Sequence, residues 1–329
     1  MIKTKNCMRR LIKVSILIGL IVAVIPESGS SQERYPEKPI SIIHGWSAGG
    51  LADVFTRLLA DAASKKLGQL IVVENRLGAH GIIAANTIVK SKPDGYTLGG
   101  GVSSQFLITC NMMKVPFDPI KDITQILVFF NYEIGLVVRS DSPWKTWEEF
   151  KNYAKQNPGK VRYGSPGAGS MQQLTFEMIG QREGIKWTHI PFPGSREPVI
   201  AVLGGHIEAA IPGKADVLSL IKSGQLRFLL PLNDRRWEIA PNVPHLGELG
   251  YDNAFTYFSI WGPKGLPESI RSKLENVFHE AMKDQNFVDA ANRSQIDIIY
   301  VPGKDYAKML EEKFPKYKKV IDDLGLAEK

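Results

Sequence analysis

Cysteine is almost missing from this chain. Of its 329 residues two are cysteine, Cys7 and Cys110, and Cys7 lies in a stretch that reads as a leader. With the leader removed no internal disulfide can form, so stability must come from a packed core. Histidine, cysteine, aspartate and glutamate nowhere recur at metal-ligand spacing, so no metal and no cofactor is expected. Gly99-Gly100-Gly101 is followed by no Gly-Lys-Ser/Thr, which excludes a P-loop. Beyond the leader no apolar run reaches the length of a membrane span. No basic stripe is interleaved with aromatics, which argues against a nucleic-acid partner.

What is present begins with that leader. Lys3, Lys5, Arg9, Arg10 and Lys13 form a basic region, and Val14–Ile25 is apolar apart from Ser15 and Gly19. Pro26 and Ser28-Gly29-Ser30-Ser31 then supply a breaker and small residues for cleavage near 30–32. Residues 1–31 therefore read as a secretory signal, and the mature protein is expected in the periplasm. The absence of a cysteine just after the apolar run argues against a lipoprotein. The leader carries most of the formal charge: the whole chain is +7 and the part beyond residue 31 is near +3. Just under 300 residues can bury a large core, enough for two domains.

The chain is organised around residues 40–59. Ile40-Ser41-Ile42-Ile43 is a buried-strand pattern. Leu51, Val54, Phe55, Leu58 and Leu59 are spaced as one face of a helix. Between them Ser47-Ala48-Gly49-Gly50 carries little side chain, so a ligand can approach the backbone. The unpaired N–H groups and partial positive charge of a helix start suit a carboxylate. The loop is thus expected to hold one end of a small organic acid. Asp53, in the first turn, reads as a complement to the helix dipole.

Strand, small-residue loop and helix recur. Leu70–Glu74 is a strand, 75–81 a second loop, and Ile82–Lys90 a helix. Tyr96–Gly99 is a strand and 99–105 a third loop. Ile126–Phe130 and Ile134–Arg139 read as further strands. A second unit begins near 141: the strand at 161–163 leads into the loop 164–170 and a helix from Met171. This repetition predicts an α/β protein with parallel strands, whose loops gather at the strand ends where ligands bind. Two such units facing each other imply a cleft that closes on a hinge.

Gly45-Trp46-Ser47-Ala48-Gly49 also fits the nucleophile elbow of a serine hydrolase. That motif needs an earlier strand to supply an oxyanion-hole donor, and about ten residues of mature chain precede Ile40. None of the following histidines sits in a segment that marks it as the base, so this reading ranks below binding.

The ordered series of motifs resembles one family. It includes Trp46-Ser47-Ala48-Gly49-Gly50 with Asp53, Val73-Glu74-Asn75-Arg76 with Gly78-Ala79, and Pro93-Asp94-Gly95-Tyr96-Thr97-Leu98. It continues with Pro116-Phe117-Asp118-Pro119, Tyr163-Gly164-Ser165, His189-Ile190-Pro191-Phe192 and Lys222-Ser223-Gly224-Gln225-Leu226-Arg227. Together these are similar to the periplasmic solute-binding receptors of tripartite tricarboxylate transporters, the Bug receptors, from about residue 34 onward.

The resemblance implies a two-lobed type II periplasmic-binding-protein fold with the ligand cleft between lobes. Lobe one would be 34–140 plus 255–329, and lobe two 141–254. It implies a binding protein that captures a small carboxylate, performs no catalysis, and delivers its ligand as a monomer to the large and small permease subunits of a membrane transporter. A membrane sensor reading the closed form is the alternative partner. The ligand-binding residues implied are Trp46, Ser47, Ala48, Gly49, Gly50, Ser103 and Ser104 from lobe one. From lobe two they are Ser165, Gly169, Ser170, Phe192, Gly194 and Ser195.

The chain departs from the family in places. Gly45-Trp46 stands where Pro and Phe or Tyr are usual. Ile108-Thr109 replaces an Asn-Pro pair. Ser170 is followed by Met171, Gln172 and Gln173 where a histidine often follows. Arg196 and Lys214 are read as solvated loop charges in preference to partners for a second carboxylate, His44 as a packed histidine, and Glu74 with Arg76 as an ion pair within a loop.

Overall fold

The computed structural model describes residues 35–328; the expected signal segment lies outside them. The described residues build two sheets. The first has six strands: β1 (Ile40–His44), β2 (Ile71–Asn75), β3 (Thr97–Val102), β4 (Ile123–Asn131), β10 (Tyr257–Pro263) and β11 (Asp297–Pro302), in the spatial order β11-β4-β10-β3-β1-β2. The second has five: β5 (Gly135–Arg139), β6 (Arg162–Ser165), β7 (Thr188–Pro191), β8 (Ala209–Ala210) and β9 (Leu226–Pro231), in the order β7-β6-β8-β5-β9. β1 runs parallel to β2 and β3, while β10 is antiparallel to β3 and β4.

Helices cover the sheets because their apolar faces demand it. In α1 (Leu51–Leu67) Phe55, Leu59, Ala62 and Ala63 are buried, and Gly68 ends the helix in the left-handed region at φ 66°. α2 is Ile82–Val89. α3 (Trp147–Gln156) starts at Thr146, whose hydroxyl accepts from the Glu149 amide at 3.2 Å. α4 (Met171–Glu183) starts at Ser170 in the same way, its hydroxyl accepting from Gln173 N at 3.2 Å. These are N-caps, each satisfying an orphan donor of the first turn. α5 (Glu197–Leu203) and α6 (Lys214–Lys222) complete the second sheet's cover. α7 (Glu268–Ala281), α8 (Gln285–Ser294) and α9 (Gly303–Asp323) follow β10 and β11.

The chain passes between the sheets at 132–134 and again at 232–256. These crossings are fastened to each other. Asn233 accepts from Ile134 N at 2.7 Å, and its Nδ2 donates to Ala254 O at 3.1 Å. Leu232 N donates to Ile134 O at 3.0 Å, and Tyr132 N to Thr256 O at 3.1 Å. The first crossing comes earlier than expected: Gly135–Arg139 pairs with β8 and β9 of the second sheet, so it does not belong with 34–134.

A second difference concerns Gly99-Gly100-Gly101, expected in a loop. They lie inside β3. The Trp261 indole fills the space that side chains on Gly99 and Gly101 would take, a Cβ on Gly101 lying 2.8 Å from its Nε1, while Gly100 faces His44 and Thr56 on the other side of the strand. No local pattern reveals a tryptophan 160 residues away.

Candidate functional site

The loop after β1 is held by one buried carboxylate. Asp53 is 3 % exposed. It accepts from Gly49 N at 2.9 Å, Arg57 Nε at 3.0 Å, Asn75 Nδ2 at 2.8 Å and His44 Nε2 at 3.1 Å. Burial alone would raise its pKa, but the bonds from Arg57, Gly49, Asn75 and His44 outweigh that and hold it well below the usual carboxylate range. His44 is packed, as expected, at 1 % exposure. Burial lowers its pKa, so it is neutral. Its Nδ1 accepts from Trp46 N at 3.3 Å, which assigns the ring proton to Nε2, facing Asp53. Asp53 therefore does more than complement a dipole: it fixes Trp46 through His44 and Gly49 directly. Gly49, at φ 77°, makes the turn possible. The Ser47 and Ala48 amides have no partner among the described residues.

The loop after β6 repeats the device. Gly169, at φ 74°, donates its amide to Gln173 Oε1 at 2.7 Å. Ser165 is fully buried and its hydroxyl contacts Ser170 Oγ at 2.9 Å and His189 Nε2 at 2.8 Å. Burial lowers the His189 pKa to about 4, so this ring too is neutral. The Ala168 and Ser170 amides are without partners among the described residues.

Between the two loops lies a cavity of about 480 Å³. One wall carries Trp46, Ser104 and Met112, the other Pro166, Ala168, Gly169 and Ser170. A second cavity of about 420 Å³ lies against the start of α1, where Ser47, Gly50, Leu51 and Ala52 meet Phe258. Trp46 and Ser104 line both. The Trp46 Nε1 and Thr256 Oγ1 atoms are buried without partners, and both residues line the larger cavity. Neither atom is itself exposed to the open space.

Six of the expected residues line these cavities: Trp46, Ser47, Gly50, Ser104, Gly169 and Ser170. Others do different work. Ser103 is fully buried, donating to Phe255 O at 2.5 Å and accepting from Tyr257 N at 3.2 Å, so it ties β3 to the returning crossing. Ser165 is spent on Ser170 and His189. Ala48 and Gly49 are exposed and line neither cavity. Phe192 packs on the core of the second sheet, Gly194 adjoins the Glu197 carboxylate, and Ser195 faces the Tyr132 hydroxyl. Arg196 and Lys214 reach neither cavity. Lys214 bonds Glu133 at 2.8 Å and Asp297 at 3.2 Å, and Arg196 stands 3.7 Å from Asp216. Glu74 and Arg76 pair at 3.0 Å.

Sequence reasoning passed over His80, Met112, Met113, Thr256 and Glu328 as lining residues. His80 sits in a loop whose left-handed Ala79 and His80, at φ 44° and 50°, no composition rule would flag. That loop reaches the site because the Gly81 backbone presses on Gly45, where a Cβ would collide. Gly45 therefore stands where the family usually has proline for a packing reason. The elbow serine finds no support: the Ser47 hydroxyl has no imidazole partner among the described residues, and the nearby His44 is committed to Asp53 and Trp46.

Two sheets joined by fastened crossings, with paired glycine loops facing one cavity, define a solute-binding protein of the two-lobed type II periplasmic class. Residues 55–326 match the family model described as the tripartite tricarboxylate transporter family receptor, and the chain belongs to that family. It is 36 % identical over 310 residues to a Cupriavidus necator protein described as "UPF0065 protein in gbd 5'region", covering 94 % of each chain. It is 32 % identical over 312 residues to protein BugT of Bordetella pertussis, covering 93 % of this chain and 95 % of BugT. Among solved structures it is similar to a TctC solute-binding protein from Polaromonas, with TM-score 0.82 and 30 % identity, covering 88 % of this chain and all of that one.

Proposed function

We propose that this receptor captures a small organic acid between its lobes in the periplasm and hands it to a tripartite membrane transporter, performing no chemistry itself. The lobes of this reading follow the two sheets, with the first crossing taken at 132–134 instead of 140, and the segment 1–31 is a cleaved export signal. The observation that carries the reading is one cavity faced by two glycine loops, each leading into a helix start. The Ala168 and Ser170 amides stand unpaired at that cavity, and the Ser47 amide stands unpaired beside the adjoining cavity at the start of α1. A carboxylate accepts several hydrogen bonds at once, and charge-assisted ones are the stronger kind. Family membership supports the transport role.

The test is calorimetry on protein stripped of bound ligand by unfolding and refolding, against mono-, di- and tricarboxylates. Binding of at least one acid is expected, with no ester turnover before or after Ser47→Ala. Stabilisation by none of them would sink the reading. Turnover that Ser47→Ala abolishes would restore the hydrolase.

A further inference from the structure

We propose that the acid taken by this site carries an apolar body and a single carboxylate, and that Met112 is the side chain that sets the preference. The inference rests on the receptor reading above and narrows it to a ligand class.

The walls are the first ground. Away from the amides, the apolar part of the larger cavity's lining is Met112, Met113, Met171, Ile108, Leu326 and the Trp46 indole, and its polar part is His80, Gln172 and hydroxyl side chains. Thioethers are apolar, polarisable and adaptable, and they contact aromatic and aliphatic groups equally well. At about 480 Å³ the space falls within the range of small-molecule sites.

The charges are the second ground. Among the described residues no lysine or arginine lines either cavity, and the one carboxylate that does is Glu328. The cations that might have reached in are engaged elsewhere: Arg57 holds Asp53 at 3.0 Å, and Lys214 holds Glu133 at 2.8 Å. A ligand's second carboxylate would therefore be buried largely against sulfur and hydrocarbon, with no lysine or arginine among the described residues to pair it and with Glu328 in the same space. An unpaired buried charge is strongly unfavourable, whereas a methyl end or a ring would gain from the same burial.

Met112 is singled out by where it reaches. Its backbone is pinned, Met112 O accepting from Glu328 N at 2.7 Å. Its side chain crosses the cavity to the opposite loop, so that a Cβ on Gly169 would stand 2.6 Å from its sulfur. Met171 is held differently, the Tyr317 hydroxyl donating to its sulfur at 2.9 Å; no such donor reaches the Met112 sulfur among the described residues. Met112 is thus the wall that can turn to fit a ligand's body while still closing the gap between the loops.

The experiment is calorimetry on the stripped full-length mature protein with hexanoate, benzoate, adipate, citrate and hexanamide. Hexanoate or benzoate is expected to bind at least about tenfold tighter than adipate or citrate, and hexanamide to bind at least about tenfold more weakly than hexanoate. Met112→Gln should weaken the monoacid by about tenfold, while Met112→Leu, which keeps volume and apolarity, should stay within about threefold of the parent. Tighter binding of adipate or citrate would overturn the inference and leave the receptor reading intact. Equal binding of hexanamide would overturn the need for an acid group. Unchanged binding by Met112→Gln, with thermal unfolding like the parent's, would remove Met112 from its role. Binding of no acid at all would defeat the receptor reading itself, a result distinct from the others.

Discussion

The Gly169 amide donates to the Gln173 side-chain carbonyl at 2.7 Å, four residues on. In the other loop the Gly49 amide donates to Asp53, also four residues on, at 2.9 Å. Each contact fixes a left-handed glycine against the first turn of the helix that follows, and so sets the course of its loop. One anchor is ionised and buried, the other neutral, so they differ in strength.

Gln173→Ala should accordingly cost little stability, about 1 kcal/mol by urea unfolding, since one hydrogen bond is lost at a partly exposed loop. Acid binding should weaken more than stability suggests, by roughly fivefold, because the Ala168 and Ser170 amides lose their fixed geometry. Unchanged affinity in titration calorimetry would show that the loop is set without Gln173.

Asp53→Asn should be the costlier change, by about 1–3 kcal/mol, because Arg57 loses its counter-charge and an NH2 group replaces one of two oxygens that both accept hydrogen bonds. Its pH dependence has a definite sign. The folded-state pKa lies below the unfolded one, so the carboxylate's contribution is present above the ordinary aspartate value, about 3.9, and is lost as pH falls through the lower folded value. Below pH 4 the parent should lose stability more steeply than Asp53→Asn. Parallel acid-unfolding curves would contradict this.

Gly169→Ala tests backbone and side chain at once. At φ 74° an L-residue is strained, by about 1–2 kcal/mol, and the new methyl would meet the Met112 sulfur. A lower melting temperature is expected, together with loss of acid binding. Pairing it with Met112→Ala should restore part of the stability by removing the collision, and a double-mutant cycle reads that coupling.

Glu133 lies on the first crossing between the sheets, its carboxylate 2.8 Å from Lys214, with Asp297 and Arg235 beside it. Burial, reinforced by Asp297 and opposed by Lys214, pushes its pKa up to about 7. The folded state therefore holds a proton that the unfolded chain releases near pH 4.5. Stability should fall as pH rises from about 4.5 to about 7 and level off above that. Glu133→Gln should flatten this segment of the curve, measured by urea unfolding at a series of pH values; an unaltered slope would place the titration elsewhere.

Much of the architecture was legible in the sequence because it is written locally. β-branched runs such as Ile40–Ile43, apolar spacing such as Leu51 to Leu59, and the Ser170 and Thr146 caps depend on near neighbours alone. The loops that carry Trp46, Ser47, Gly50, Gly169 and Ser170 were found for the same reason. What failed was long-range. Ser103 looks like Ser104 until Phe255 O, 152 residues on, takes its hydroxyl. Gly99 and Gly101 of β3 look like a loop until Trp261 fills the place of their side chains.

The sequence by itself determined the α/β alternation, the small-residue loops at strand ends and the shortage of cysteine that leaves stability to the core. Only the tertiary structure decided which side of each loop meets the cavity, that thioethers line it with no lysine or arginine among the described residues, and that one histidine and one aspartate hold the first loop. The physical reason is range: helix and strand patterns arise from residues a turn apart, whereas a cavity's chemistry is the sum of side chains brought together from distant parts of the chain.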